Sequence, residues 1–371
     1  MSWTYISRID AAIDAAPTSV KGECLVAEKA SYLARLGQVE AARELLAGVQ
    51  ARNLNQPHPH IAAWSKFADG MLVHFTNMGA AAGDNLKRAK ALAIASGETR
   101  LAPLACGWLA YLAFTRLDTA SLVAELNDAI TLAAEDNYSA RARSSLVLAQ
   151  AFDFVVGIHE ASPWYRYSQR MASLEGDEAM LSAIMHNKAW LAVANRRFYE
   201  LAGIGEPGAD DWIQLSAASI QNFDSGIGLQ SLDTLVPLLR AQVLLLLGNF
   251  AEAATLLEEE ISPSISQGLG RLESTFIADL AYCYAKLGRY VDARSTMELA
   301  LSAPSENIQI DDRATTNSRL GQVCALIGDE VSSAKFAASA RELWLEFERF
   351  RNNFAAELRN LPRPDLVAKA N

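Results

Sequence analysis

Apolar residues recur every three or four positions through most of this chain, the period of an amphipathic helix rather than of a strand. Trp3, Ile6, Ile9 and Ile13 keep that spacing up to Pro17 and predict a short N-terminal helix. Longer helical blocks follow, separated by tight turns. Three of these turns are plainly related: Leu247-Gly248-Asn249-Phe250, Leu287-Gly288-Arg289-Tyr290 and Ile327-Gly328-Asp329-Glu330. Their glycines stand 40 residues apart, and Ala253 and Ala293 lie five residues beyond the first two. A fixed period of this length marks stacked supersecondary units that bury their apolar faces on one another. An earlier turn, Gly37-Gln38-Val39-Glu40-Ala41-Ala42, repeats the form of Gly248 to Ala253. Glycine there permits the positive φ that ends a helix, and alanine lets the paired helix come close.

Steps of 40 from Gly37 reach positions 77, 117, 157 and 197, each at the end of a helical pattern. The turns expected there are Thr76-Asn77-Met78-Gly79, Arg116-Leu117-Asp118, Val156-Gly157 and Arg196-Arg197, with Gly79 or Gly83 serving the first. The chain is therefore expected to be all-α, a right-handed superhelix of about eight antiparallel helical hairpins. The expected segments are an N-terminal helix (1–22), hairpins one to five (23–200), an interruption (201–228), hairpins six to eight (229–340), a capping helix (341–360) and a flexible tail (361–371). From Arg197 to Gly248 is 51 residues, 11 beyond the period, and the excess falls around 203–212. This interruption is either a plain insertion or a loop that touches a partner. In the last helix Leu343, Phe347, Phe350, Phe354 and Leu358 form one apolar stripe. It predicts a cap for hairpin eight or, as the rival reading, a homodimer or partner surface at Phe347, Phe350 and Phe354.

The repeats resemble tetratricopeptide repeats, whose pattern runs W-x2-L-G-x2-Y and then A-x3-F. Hairpin seven carries Ile277, Leu280, Ala281 and Tyr284, then Ala293 and Met297, with Pro304 following; hairpin eight has Leu320-Gly321 and Cys324. Hairpin six offers Ala241, Leu244, Ala253 and Leu257, and hairpin one Ala30, Leu33, Ala42 and Leu46. The match is weaker in hairpins two to five, and the 40-residue period exceeds the usual 34. Repeats this long are similar to those of bacterial regulatory helical-repeat proteins, including peptide-sensing regulators. The resemblance implies a concave face lined by the first helix of each hairpin. Projected back from each turn, it places Tyr111, Phe114, Phe154, Asn187, Asn195, Gln242, Tyr282, Lys286 and Gln322 on that face. Rings and amides together suit a peptide or helix, although each ring could equally pack between hairpins. The Lys, Arg and Asn cluster of a clamp on a C-terminal carboxylate is not among them.

Composition narrows the function further. A net charge of −10 argues against a broad nucleic-acid surface. The most apolar stretch, Leu235 to Leu247, is broken by Pro237, Arg240 and Gln242, so no membrane span is expected. No basic segment followed by an apolar run opens the chain, which predicts a cytoplasmic protein. Cys24, Cys106, Cys283 and Cys324 are scattered, as suits buried thiols in a reducing compartment. His58-Pro59-His60 lacks partners at ligand spacing, and no metal or cofactor is expected. The letters G-x-G-x-x-G occur at 203–208, but a helical pattern precedes them where a dinucleotide site needs a strand. Asp153, an acid in an apolar helix, needs a partner, expected from a neighbouring hairpin rather than from Arg141 or Arg143. The function expected is a non-catalytic scaffold or adaptor that binds a protein or peptide. The alternatives are a ligand-sensing regulator whose superhelix changes curvature and, further off, an α/α-barrel enzyme.

Overall fold

The computed structural model describes residues 4–203, 224–227, 229–231, 233–304 and 308–362. It is 84% helical, with no strand among the described residues. Among the described residues no helix is long and apolar enough to cross a membrane. The helices in chain order are α1 (Tyr5–Asp14), α2 (Val20–Arg35), α3 (Val39–Asn55), α4 (Pro59–Asn77), α5 (Ala81–Ser96), α6 (Leu101–Phe114), α7 (Thr119–Leu132), α8 (Tyr138–Val155), α9 (Ile158–Glu175) and α10 (Glu178–Ala202). They continue as α11 (Leu235–Leu246), α12 (Phe250–Ser264), α13 (Glu273–Lys286), α14 (Tyr290–Ser302), α15 (Ile310–Leu326) and α16 (Glu330–Arg359). Two compact units divide the chain: Met1–Met185 with Phe223–Ser231 and Ala355–Asn371, and His186–Asn222 with Leu232–Phe354.

The expected hairpins are α2/α3, α4/α5, α6/α7 and α8/α9 in the first unit and α11/α12, α13/α14 and α15/α16 in the second. The four glycine turns share one hydrogen-bond scheme, which Leu117 repeats in hairpin three. At Gly37, Gly248, Gly288 and Gly328 the glycine N–H reaches back to one carbonyl and the next N–H to the carbonyl before it. At Gly288, for example, Gly288 N donates to Ala285 O at 3.1 Å and Arg289 N to Tyr284 O at 2.9 Å. This closes the orphan carbonyls of the first helix and needs a left-handed residue, which the glycines supply at φ +75 to +82°. Hairpins two and three use Met78 (φ 49°) and Leu117 (φ 53°) at the equivalent place. Neither Gly79 nor Gly83 is the left-handed residue of the second turn, so the repeat is fainter there in sequence than in backbone. Ala30, Ala42, Ala253, Ala281 and Ala293 are wholly buried, the small side chains on which paired helices approach.

Two elements depart from the expected layout. The fifth turn is not at Arg196-Arg197, because α10 runs through both residues to Ala202. An apolar–polar helical pattern continues across them, with Val193, Arg197 and Phe198 all buried. The interruption from 204 to 223 lies outside the described residues. At the other end, the segment separated in sequence as a capping helix is continuous with the second helix of hairpin eight, giving the 30-residue α16. No Gly or Pro falls between Glu330 and Arg359 to divide it. Its stripe is covered within the chain: Leu343, Phe347, Phe354 and Leu358 are buried, and Phe198 packs edge-on against Trp344 and Phe347.

The turn glycines give a paired test. A Cβ at Gly288 would meet nothing within 4 Å, so only backbone strain opposes it. At Gly37 a Cβ would lie 2.4 Å from the Ser231 amide nitrogen, adding a clash with backbone. Gly288→Ala should cost about 1 kcal/mol, and Gly37→Ala distinctly more, in urea unfolding of the full chain. Equal losses would show that the 229–231 segment yields freely.

Candidate functional site

In the second unit, α13, α15 and the start of α12 build a shelf of rings and cations. Phe250 and Tyr282 meet edge to face with centroids 5.8 Å apart. The exposed Lys286 ammonium stands 5.5 Å from the Tyr282 ring and 5.7 Å from that of Phe250. Lys286 is one turn beyond Tyr282 on α13, which puts both on one helix face. From α15, the Arg319 guanidinium lies 4.6 Å from the other neighbour of that shelf, the Tyr282 ring, and donates to Gln322 Oε1 at 2.8 Å. Tyr282, Lys286 and Gln322 are thus brought together, with Phe250 and Arg319 as members the sequence reading did not name. Gln242 is buried on α11, while Asn187 and Asn195 lie half-buried along α10.

Under the shelf is an ionic core. Asp279 and Arg319 are both 0% exposed. Arg197 Nη2 lies 2.8 Å from the Asp279 carboxylate, and Arg319 Nε donates to Asp279 Oδ1 at 3.2 Å. Glu200, at 3.3 Å from Arg319 Nη1, supplies the second negative charge. One carboxylate thereby ties α10, α13 and α15 together. At the start of α15, Asp312 pairs with Arg271 at 2.6 Å. Its neighbour Asp311 is pushed up to about 7, by burial first and by the Asp312 charge second.

The first unit also has a polar interior. Phe114 and Phe154 pack against each other edge-on at 5.9 Å, and Phe154 is buried. Tyr111, half-buried, belongs to a different cluster, with His74 at 5.6 Å and Trp108 at 5.8 Å between ring centroids. The Arg143 guanidinium from α8 lies on the Trp108 face at 3.6 Å and 5.7 Å from the Tyr111 ring. Burial, then the charge of Arg35, lowers Arg143 to about 9. Burial, then the charge of Arg143, lowers His74 to about 4. Arg35 itself grips Asp177 with both ends of its fork, at 2.7 and 2.9 Å. Helix α1 is fastened nearby: Tyr5 Oη donates to Glu28 at 2.7 Å, Tyr5 N to Gly176 O at 3.0 Å, and Arg8 pairs with Glu175. Arg143 and His74 had a sequence signal in being ionisable groups within apolar helices. Asp153 accepts a hydrogen bond from Tyr165 Oη at 3.1 Å, on the second helix of its own hairpin.

The remaining sequence candidates fall into structural roles. His58 Nδ1 accepts from His60 N at the start of α4, and His60 Nε2 lies 2.9 Å from Ser96 O. All four cysteines are buried and free, and burial pushes Cys24, Cys106 and Cys283 up to about 12, which keeps them as thiols. Cys106, Glu125 and Asp128 converge, but the Lys90 ammonium already holds both carboxylates at 2.8 and 2.9 Å. Phe347 and Phe354 are buried in the chain, which leaves half-buried Phe350 as the member of that trio nearest solvent. The 203–208 motif lies outside the described residues beyond Gly203.

Two measurements test these interiors. Asp279→Ala leaves two buried arginines without their shared acid and should cost about 3–5 kcal/mol, read by urea unfolding. A cost below about 1 kcal/mol, the range of an exposed pair, would mean that the cluster is open to water. His74 carries a pH signature. The unfolded imidazole takes up its proton near pH 6.5, the folded one only near 4, so stability is full above 6.5 and is lost as pH falls between those values. Between pH 7.5 and 5 this amounts to about 2 kcal/mol, and His74→Leu should lose that much less than the wild type over the same interval. Identical pH dependence in both proteins would place His74 in water. No protein-family model matches the chain, and comparison with curated proteins returns no match.

Proposed function

We propose that the protein is a binding module of tetratricopeptide-like character, and that a protein or peptide partner docks on the shelf of Phe250, Tyr282, Lys286 and Gln322. The observation that carries this reading is that hairpins six, seven and eight each contribute to one continuous surface of ring, ammonium and amide groups. Such a surface offers rings for buried area, an amide for backbone hydrogen bonds and a cation for an acidic side chain. A binding rather than catalytic role is supported by the state of the ionisable groups beneath: Asp279, Arg197 and Arg319 are committed to one another, and the buried thiols stay protonated.

Lys286 is exposed at the end of α13 and makes no ion pair among the described residues, so its exchange should leave the fold untouched. Lys286→Glu is expected to melt within about 1 °C of the wild type, as surface substitutions do. With a photo-crosslinker placed at position 322, Lys286→Glu is expected to lose the partners that the chain with Lys286 captures. Retention of the same crosslinked partners by Lys286→Glu and by Phe250→Ala would rule out this shelf as the docking surface.

A further inference from the structure

Arg143 is 3% exposed, yet no carboxylate pairs with it among the described residues. Its Nε is sealed from solvent and meets no acceptor there. Asp177 is the acid whose field reaches it, but both Asp177 oxygens are engaged by Arg35, and Oδ1 also accepts from Met180 N at 2.8 Å. The surroundings are nevertheless shaped around this side chain. Gly107 passes beneath it, where a Cβ would stand 3.0 Å from Arg143 Cγ. Trp108 covers one face of the guanidinium, and Tyr111 and His74 complete the wall. Stacking on a ring recovers only part of what a buried cation loses in leaving water. The chain therefore keeps a positive charge, in an interior where Arg35 is already neutralised, at a standing cost to its own stability.

We propose that Arg143, walled by Trp108, Tyr111 and His74, is the receptor for the carboxylate of a small free organic acid. A guanidinium stacked on a ring has its edge left for hydrogen bonding, and that edge matches the two oxygens of a planar carboxylate. His74 is neutral at physiological pH, so it adds a ring N–H without adding charge. Tyr111 is half-buried, whereas Trp108, His74 and Arg143 are buried, so it is the most exposed member of the cluster. A small acid suits this depth because a peptide main chain brought to Arg143 would bury its own amides without partners. This ligand is independent of a partner on the Phe250–Lys286 shelf, which belongs to the other unit.

The experiment is calorimetric melting of the full chain, wild type and Arg143→Met, with acetate, propionate or benzoate at constant ionic strength. Acetamide and benzamide serve as neutral isosteres, and inorganic phosphate and N-acetyl-glutamate α-amide as other anion sources. Without ligand, Arg143→Met should melt about 2 °C or more above the wild type, since it removes a buried unpaired charge. At least one free carboxylate should raise the wild-type midpoint, its amide should not, and Arg143→Met should respond to neither. Lys286→Glu should respond as the wild type does, which separates this site from the shelf. An Arg143→Met chain that melts lower or does not fold would make the arginine a structural post and overturn the proposal. So would equal shifts in both chains, a response to phosphate or the glutamate amide alone, or no response to any carboxylate.

Discussion

The residue at positive φ that closes each first helix is the constraint on which the repeat depends. A helix of four turns ends with carbonyls that have no partner, and at the four glycine turns and at Leu117 one left-handed residue lets two of them be satisfied while the chain reverses. The second helix then returns antiparallel along the first, close enough that Ala42, Ala253 and Ala293 have no exposed surface. The reversal is a local event, encoded in about six residues, which is why it can recur with a fixed period while the helices around it vary. Neither helix of a hairpin buries its whole apolar side on the other. The remainder is covered by the next hairpin, as α4 does for α2 and α15 for α13.

Stacking in this way buries charged side chains that the helices carry. Each unit solves the same electrostatic problem with an acid placed between elements distant in sequence. Asp177 fastens the end of α2 to the start of α10 through Arg35, and Asp279 fastens α10 and α15 to α13 through Arg197 and Arg319. Charges so deeply placed add little net stability compared with apolar substitutes, but once present they must stay matched, so they fix which helices are neighbours. The binding surface proposed for the second unit rests on this. Arg319 is immobilised by Asp279 and Glu200 from below and in turn supports the Tyr282 ring and Gln322 above.

What the sequence made legible was the part of the fold governed by short-range rules. Glycine turns 40 residues apart located hairpins six, seven and eight, the similar turn at Gly37 located hairpin one, and counting from Gly37 reached the turns that hold Met78 and Leu117, where the residue type gives no hint of a left-handed backbone. The same counting failed at Arg196-Arg197 because a helix stops only where something stops it, and neither arginine, both good helix formers, does. The break between a second helix and a cap failed to appear in α16 for the same reason. Of the residues projected onto an inner face, Tyr282, Lys286 and Gln322 form one surface. Phe154 and Gln242 are buried, because a first helix turns only part of its circumference inward and the projection assigns no angle. Arg319 was invisible as a site residue because composition rules send arginine to the surface, and Arg143, although an ionisable group in an apolar helix, gains meaning only from the long-range pairing it lacks.

The two buried arginines make the sharper comparison. Both are sealed in helical interiors, and both lie on aromatic rings, Arg319 on Tyr282 at 4.6 Å and Arg143 on Trp108 at 3.6 Å. Around Arg319 the chain also supplies Asp279 and Glu200, so its charge is neutralised within the fold. Around Arg143 it supplies rings, a glycine and a neutral histidine, while the nearest acid is bound to Arg35. A cation needed only for packing would have lost nothing by becoming methionine at position 143, where no acid depends on it. The one that is paired contributes specificity of assembly, and the one that is unpaired departs from the pairing rule the rest of the molecule obeys. Departures of that kind are where a folded chain holds free energy in reserve for a ligand.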